Sequence, residues 1–156
     1  MIHDWSDMIT VRKVDKDTVL ADRMLDFVKH FSWLEVKEHA VHQIRNWEFE
    51  DWETPFVAVY DGHIIGMCTI MKTDYYPLPE IYPWISTIFV SEEYRGHRIS
   101  GKLIDYANEY AKKIGFMKTY IPTEFIGLYE KYGYHYLKNI VNYGNDIDRL
   151  YIKEIE

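Results

Sequence analysis

Val90-Ser-Glu-Glu-Tyr-Arg-Gly-His-Arg-Ile-Ser-Gly-Lys-Leu103 lies between two segments of different periodicity. Before it, Trp84 to Val90 is an apolar run of strand length and reads as a buried strand. After it, Ile99, Leu103, Ala107, Ala111 and Ile114 recur at helical steps, predicting a helix over 99–114 with that stripe buried. Lys112 and Lys113 suit the negative end of its dipole, and Gly115 suits the position just past its end. Between strand and helix lies a short turn carrying Arg95, Gly96, His97, Arg98 and Gly101. The first N–H groups of a helix have no intrahelical acceptors and favour negative charge. Basic groups gathered there, in a chain of formal net charge -7, point to a phosphate-bearing ligand.

The rest of the chain arranges itself around that unit. Ile9 to Val14 alternates as a first strand, and Asp15 or Asp17 can cap the helix that follows. Leu20, Met24, Val28 and Phe31 give that helix one apolar face. Val36, Ala40, Ile44 and Trp47 give a second helix another. Phe56 to Tyr60 and Ile64 to Met71 flank Asp61-Gly62, a strong hairpin signal. Asp74 to Pro83, rich in proline and tyrosine, is a loop. Met117 to Ile121 reads as a strand and Glu124 to Lys131 as a short helix. Tyr134 to Val141 and Ile147 to Ile155 read as paired strands around Tyr143-Gly-Asn145. The order is β-α-α-β-β-β-α-β-α-β-β: mixed α/β around one sheet, expected as a single domain over 1–156.

Composition narrows the class. The chain has 156 residues, 47% hydrophobic and 28% charged, as an ordinary globular domain does. No run approaches the roughly 18 apolar residues that span a bilayer, so no membrane role is expected. Met1 to Asp7 lacks a basic-then-apolar leader pattern, and the one cysteine, Cys68, can form no internal disulfide. Both suit a reducing cytoplasm. The acidic balance argues against nucleic acid, whose binders usually carry a basic face. His39 and His42 share a helix face with no third ligand evident, so no metal is expected.

Tyr94-Arg95-Gly96-His97-Arg98-Ile99-Ser100 resembles the coenzyme motif of the GNAT family, the acetyl-CoA-dependent N-acetyltransferases. That motif reads Arg/Gln-x-x-Gly-x-Gly/Ala, after a strand and opening a helix. Arg95 takes the first place, while the two later small residues fall on Arg98 and Ser100. Leu128-Tyr-Glu-Lys-Tyr-Gly-Tyr134 resembles the family's late Leu/Phe-Tyr-Glu-Lys-x-Gly-Phe segment. The element order agrees as well.

The resemblance implies the GNAT fold, acetyl-CoA as co-substrate and a primary amine as acceptor. It implies a coenzyme site made of Ile88, Phe89 and Val90 on the strand edge and Arg95, Gly96, His97, Arg98, Ile99, Ser100 and Gly101 in the loop. Pantetheine would pair with the strand, and a strand N–H near Ile88 would meet the thioester oxygen. Tyr129 would be the catalytic group that protonates the leaving thiolate; a phenol, with an ordinary pKa of about 10, is protonated at neutral pH. The strand offers no base beyond Ser86 and Thr87, leaving Asp74, Glu80, Glu124, His63 or water.

Blander readings stand beside these. Arg95 to Ser100 could be a plain helix start, and Tyr129 a packing tyrosine among fourteen. Gly96-x4-Gly101-Lys102 also fits a nucleotide phosphate loop, but Leu103 stands where Ser or Thr must hold Mg²⁺. A non-catalytic acyl-CoA-binding module, or a protein acetyltransferase, would carry the same motifs. For the acceptor, Phe31-Ser-Trp33 and the 74–83 loop supply aromatic faces with Asp74 and Glu80. These would attract a small cationic or neutral amine, unless the tyrosines instead bury one another or a second copy in a homodimer.

Overall fold

The computed structural model describes residues 5–156; Met1 to Asp4, part of the segment read for a leader, lie outside the described residues. The strands are β1 Thr10–Lys13, β2 Thr54–Tyr60, β3 His63–Met71, β4 Trp84–Val90, β5 Lys118–Thr123, β6 His135–Val141 and β7 Ile147–Glu154. The α-helices among the described residues are α1 Val19–Lys29, α2 Leu34–Arg45 and α3 Ile99–Lys113. The strands form one mixed sheet in the order β1-β2-β3-β4-β5-β7-β6. β4 and β5 run parallel, while β1 with β2, β5 with β7, and β6 with β7 are antiparallel. The chain divides into two compact units, one holding the residues up to Thr69 with Thr87–Ile104, the other Ile70–Ser86 with Asp105–Glu156.

In the first unit, α1 and α2 bury their predicted faces. Met24, Val28 and Phe31 of the α1 stripe meet Ala40 and Ile44 of the α2 stripe in a core with Val57, Met67 and Phe89. The cap of α1 differs from expectation. Thr18, not Asp15 or Asp17, accepts the Ala21 N–H on its hydroxyl at 3.1 Å. Asp17 instead sits at φ 61, and Asp15 gives its carbonyl to the Thr18 hydroxyl at 2.7 Å. The β2–β3 turn is the predicted one: Asp61 and Gly62 both adopt positive φ, 49 and 76. Cys68 is fully buried, and burial pushes its thiol pKa far up, so it is a packing residue.

In the second unit, α3 ends in the predicted glycine cap. The Gly115 N–H donates to the Lys112 carbonyl and the Phe116 N–H to that of Ala111, with Gly115 at φ 104. A core of Tyr76, Ile81, Trp84, Tyr120, Ile140 and Leu150 packs on this part of the sheet. The expected helix over 124–131 is absent. Its place is taken by irregular backbone and a 3-10 turn, Glu130–Tyr132. Gly127 at φ 85 breaks any helix there, and Phe125 and Ile126 stay exposed, so no buried face repays helix formation.

Candidate active site

Local chain geometry builds the loop ahead of α3. β4 carries Thr87 at φ 49, a left-handed turn within a strand and uncommon for a β-branched residue. It breaks the inward–outward alternation, so that Ser86, Thr87 and Ile88 are all half-buried. Past β4, the Ser91 N–H donates to the Ile65 carbonyl at 2.9 Å, and a 3-10 turn, Glu92–Tyr94, reverses the chain. Gly96 at φ 86 and Arg98 at φ 59 then make two left-handed steps into the helix.

The first helical bond runs from the Lys102 N–H to the Arg98 carbonyl, at 3.2 Å. The amides of Ile99, Ser100 and Gly101 come ahead of it and have no carbonyl of their own helix to meet. Arg98, standing where the resembling motif has glycine, takes the conformation that glycine serves there. Only Gly96, His97 and Arg98 lie between the 3-10 turn's cap, Arg95, and the helix, with Gly101 and Lys102 already helical. Ile99 and Ser100 of the Gly96-x4-Gly101-Lys102 pattern are therefore helical as well, and Leu103, where Ser or Thr would hold Mg²⁺, is fully buried.

Arg95 is exposed, yet its position is defined. Its Nε–H donates to the Val90 carbonyl at 2.9 Å, and its guanidinium lies 5.6 Å from the centre of the Phe89 ring. The Phe89 side chain is buried and stacks on Phe31 at 4.1 Å. That stack also sends Phe31 into the core, away from the acceptor wall where it was expected, and leaves Trp33 41% exposed. Gly66 of β3 lets the strands approach: a Cβ there would stand 3.0 Å from the Phe89 carbonyl oxygen.

Tyr129 lies in the second unit, half-buried, at the foot of the 3-10 turn. Its carbonyl accepts the N–H groups of Tyr132 at 3.0 Å and Tyr134 at 3.3 Å. Next to it, Glu130 accepts the Gly127 N–H at 2.9 Å and the Tyr151 hydroxyl at 3.4 Å.

Among the expected bases, Glu80, Glu124 and His63 are exposed. Asp74 is half-buried; it accepts the Ser86 hydroxyl on one oxygen and the Tyr75 N–H at 2.6 Å on the other. The structure adds residues that the sequence did not single out. The buried Tyr76 stacks on Trp84 at 5.3 Å and donates its hydroxyl to Asp148 at 2.6 Å. Asn142 Nδ2–H donates to the same Asp148 oxygen at 3.2 Å, and Tyr75 meets Tyr143 edge-on at 5.7 Å. Burial raises the Tyr76 phenol pKa, as do the hydrogen bond and charge of Asp148 and the charge of Asp74. Two carboxylates thus lie close to one aromatic group. Tyr76 and Asp148 stand 72 residues apart in sequence, and no local signal joins them.

The family model described as the acetyltransferase (GNAT) family matches residues 18–134. No curated protein matches the chain in sequence. Among solved structures, an aminoglycoside 6'-acetyltransferase type Ii superposes with a TM-score of 0.74 at 17% identity, covering 94% of this chain and 97% of that one. An aminoglycoside 6'-N-acetyltransferase complexed with coenzyme A gives 0.74 at 15% identity, with the same coverage. A GNAT-family acetyltransferase from Staphylococcus aureus Mu50 gives 0.66 at 18% identity, covering 95% and 99%. These likenesses show the fold. The family match spans most of the chain and takes in both motifs, and the chain belongs to the acetyltransferase (GNAT) family.

Proposed function

We propose that this chain moves the acetyl group of acetyl-CoA onto the primary amine of a small cationic or neutral acceptor. The observation that carries the reading is the loop of Arg95 to Gly101. Its two left-handed residues lead into the N-terminus of a fifteen-residue helix flanked by two guanidinium groups. A Cβ on Gly96 would meet nothing within 4 Å, so the outer side of the loop is open to a pyrophosphate. A structurally similar chain is an aminoglycoside acetyltransferase solved with coenzyme A, which supports the same ligand here.

In this reading the edge of β4 at Ile88, Phe89 and Val90 pairs with pantetheine, and the Ile88 N–H stabilises the charge developing on the thioester oxygen. The acceptor nitrogen attacks the carbonyl carbon, the C–S bond breaks and the amide forms. The departing thiolate takes a proton from the Tyr129 hydroxyl, and the acceptor's own proton passes to water. Asp74 and Asp148, among Tyr75, Tyr76 and Tyr143, give the acceptor a negative and aromatic surface.

The test compares spermidine, an aminoglycoside, glucosamine and glutamate as acceptors, for the wild type and Asp148→Asn. Spermidine and the aminoglycoside turn over faster than glutamate, and Asp148→Asn raises KM for these cations roughly ten-fold, the cost of one charge-assisted contact. Faster turnover of glutamate, with KM for the cations unmoved in the variant, removes this acceptor assignment.

A further inference from the structure

Asn108 of α3, Thr119 of β5 and Tyr134 just ahead of β6 form a buried ring of hydrogen bonds, with exposures of 6%, 0% and 2%. The Thr119 hydroxyl donates to Asn108 Oδ1 at 2.7 Å. The Tyr134 and Thr119 hydroxyls meet at 2.6 Å, and Asn108 Nδ2–H donates to the Tyr134 oxygen at 3.1 Å. One assignment satisfies all three: Tyr134 gives to Thr119, Thr119 to Asn108, and Asn108 to Tyr134. Such a ring adds little net stability over apolar residues of the same shape, but it holds its members in one arrangement.

Tyr134 is the member through which this ring reaches Tyr129. The Gly133 N–H donates to the Glu130 carbonyl at 3.1 Å and the Tyr134 N–H to that of Tyr129 at 3.3 Å. With Gly133 at φ 91, this is a closed cap of the helix-terminus kind, in which Tyr129 supplies the first carbonyl and Tyr134 the last amide. The phenol of Tyr134 is therefore anchored in the interior, while its amide grips the carbonyl of Tyr129. Gly127 to Lys131 is otherwise exposed or half-buried, and its backbone is irregular before the 3-10 turn. Lys153 Nζ adds one tie, donating to the Tyr132 carbonyl at 2.8 Å.

We infer that Asn108, Thr119 and Tyr134 are positioning residues: they hold the backbone of Tyr129 so that its hydroxyl reaches the departing sulfur. This rests on the reading of Tyr129 as the proton donor given above. A donor on a segment without a helix needs such an anchor, because a displacement of about 1 Å can cost up to a hundred-fold in rate.

The test is a double-mutant cycle on turnover of acetyl-CoA, using the fastest acceptor among spermidine, an aminoglycoside and glucosamine. Tyr129→Phe and Tyr134→Phe should each lower kcat, the latter about ten-fold, with KM for acetyl-CoA unchanged. The double variant should be no slower than Tyr129→Phe, since the ring acts only through that hydroxyl. Losses that multiply in the double variant, or a Tyr134→Phe enzyme with wild-type kcat, overturn the inference and leave the role of Tyr129 standing. A silent Tyr129→Phe, or no turnover of any amine, overturns that role and the inference with it. Should Tyr134→Phe fail to fold, Thr119→Val should show the same loss of kcat and Thr119→Ser should restore it. An unaltered kcat in Thr119→Val overturns the inference.

Discussion

Arg98 opens α3 from a left-handed backbone, at φ 59, where glycine would sit without strain. A non-glycine residue there costs about 1 kcal/mol, and a guanidinium at a helix N-terminus opposes the dipole. The proposed role, holding a phosphate of the coenzyme, would account for both costs. Arg98→Gly should therefore raise stability by up to about 1 kcal/mol while weakening acetyl-CoA roughly ten-fold by removing a charge-assisted bond. Arg98→Glu should weaken it further, by placing a negative charge beside the phosphates. Thermal melts with and without acetyl-CoA check both effects, because a ligand that binds only the folded state raises Tm by mass action. A melt rise for Arg98→Glu equal to that of the wild type would move the coenzyme away from this loop. That Arg98 needs a left-handed backbone was visible in the sequence only through the motif, which places glycine there. The ordinary preferences of arginine give no hint of it.

The elements most legible in the sequence were those with a strong period or a strong turn. Ile99, Leu103, Ala107 and Ala111 of the α3 stripe are buried, whereas Ile114 lies past the end of the helix and is 43% exposed; Asp61-Gly62 makes its hairpin turn. What failed was local and polar. Thr18 won the α1 cap over two aspartates, because its hydroxyl both accepts from Ala21 and donates to the Asp15 carbonyl. The 124–131 segment has the residues of a short helix, but Gly127 at φ 85 and the Thr123 and Glu130 side chains give its backbone other partners. Gly66, inside an apolar strand, is explained only by what lies beside it. A methyl group there would press on the Phe89 carbonyl at 3.0 Å and on Leu103 at 3.3 Å. Gly66→Ala should lower stability by about 1–3 kcal/mol through overpacking, and weaken acetyl-CoA by shifting the end of β4. Urea unfolding and coenzyme titration of the variant measure the two; unchanged values in both would mean that β4 gives way freely at this point.

At the scale of the whole molecule, fold class, family and the element order, apart from the helix expected over 124–131, were readable from two motifs and the hydrophobic pattern. The acceptor side was less so. Aromatic loop 74–83 and Asp74 stood out in the sequence, but Asp148, which accepts from Tyr76 and from Asn142, meets that loop only in the folded chain. No local signal marks residues assembled that way, and the net charge of -7 says only which sign of ligand is favoured. We propose above all that a coenzyme bound at the Arg95 to Gly101 loop gives up its acetyl group to an amine. The most direct measurement mixes the purified chain with acetyl-CoA and each amine, then quantifies free coenzyme thiol and acetylated amine together. The two products should appear in equal amounts, formed with spermidine or the aminoglycoside and lost in Arg98→Glu at limiting acetyl-CoA. Tight acetyl-CoA binding with neither product from any amine would contradict the proposal, and would make the chain an acyl-CoA-binding module instead.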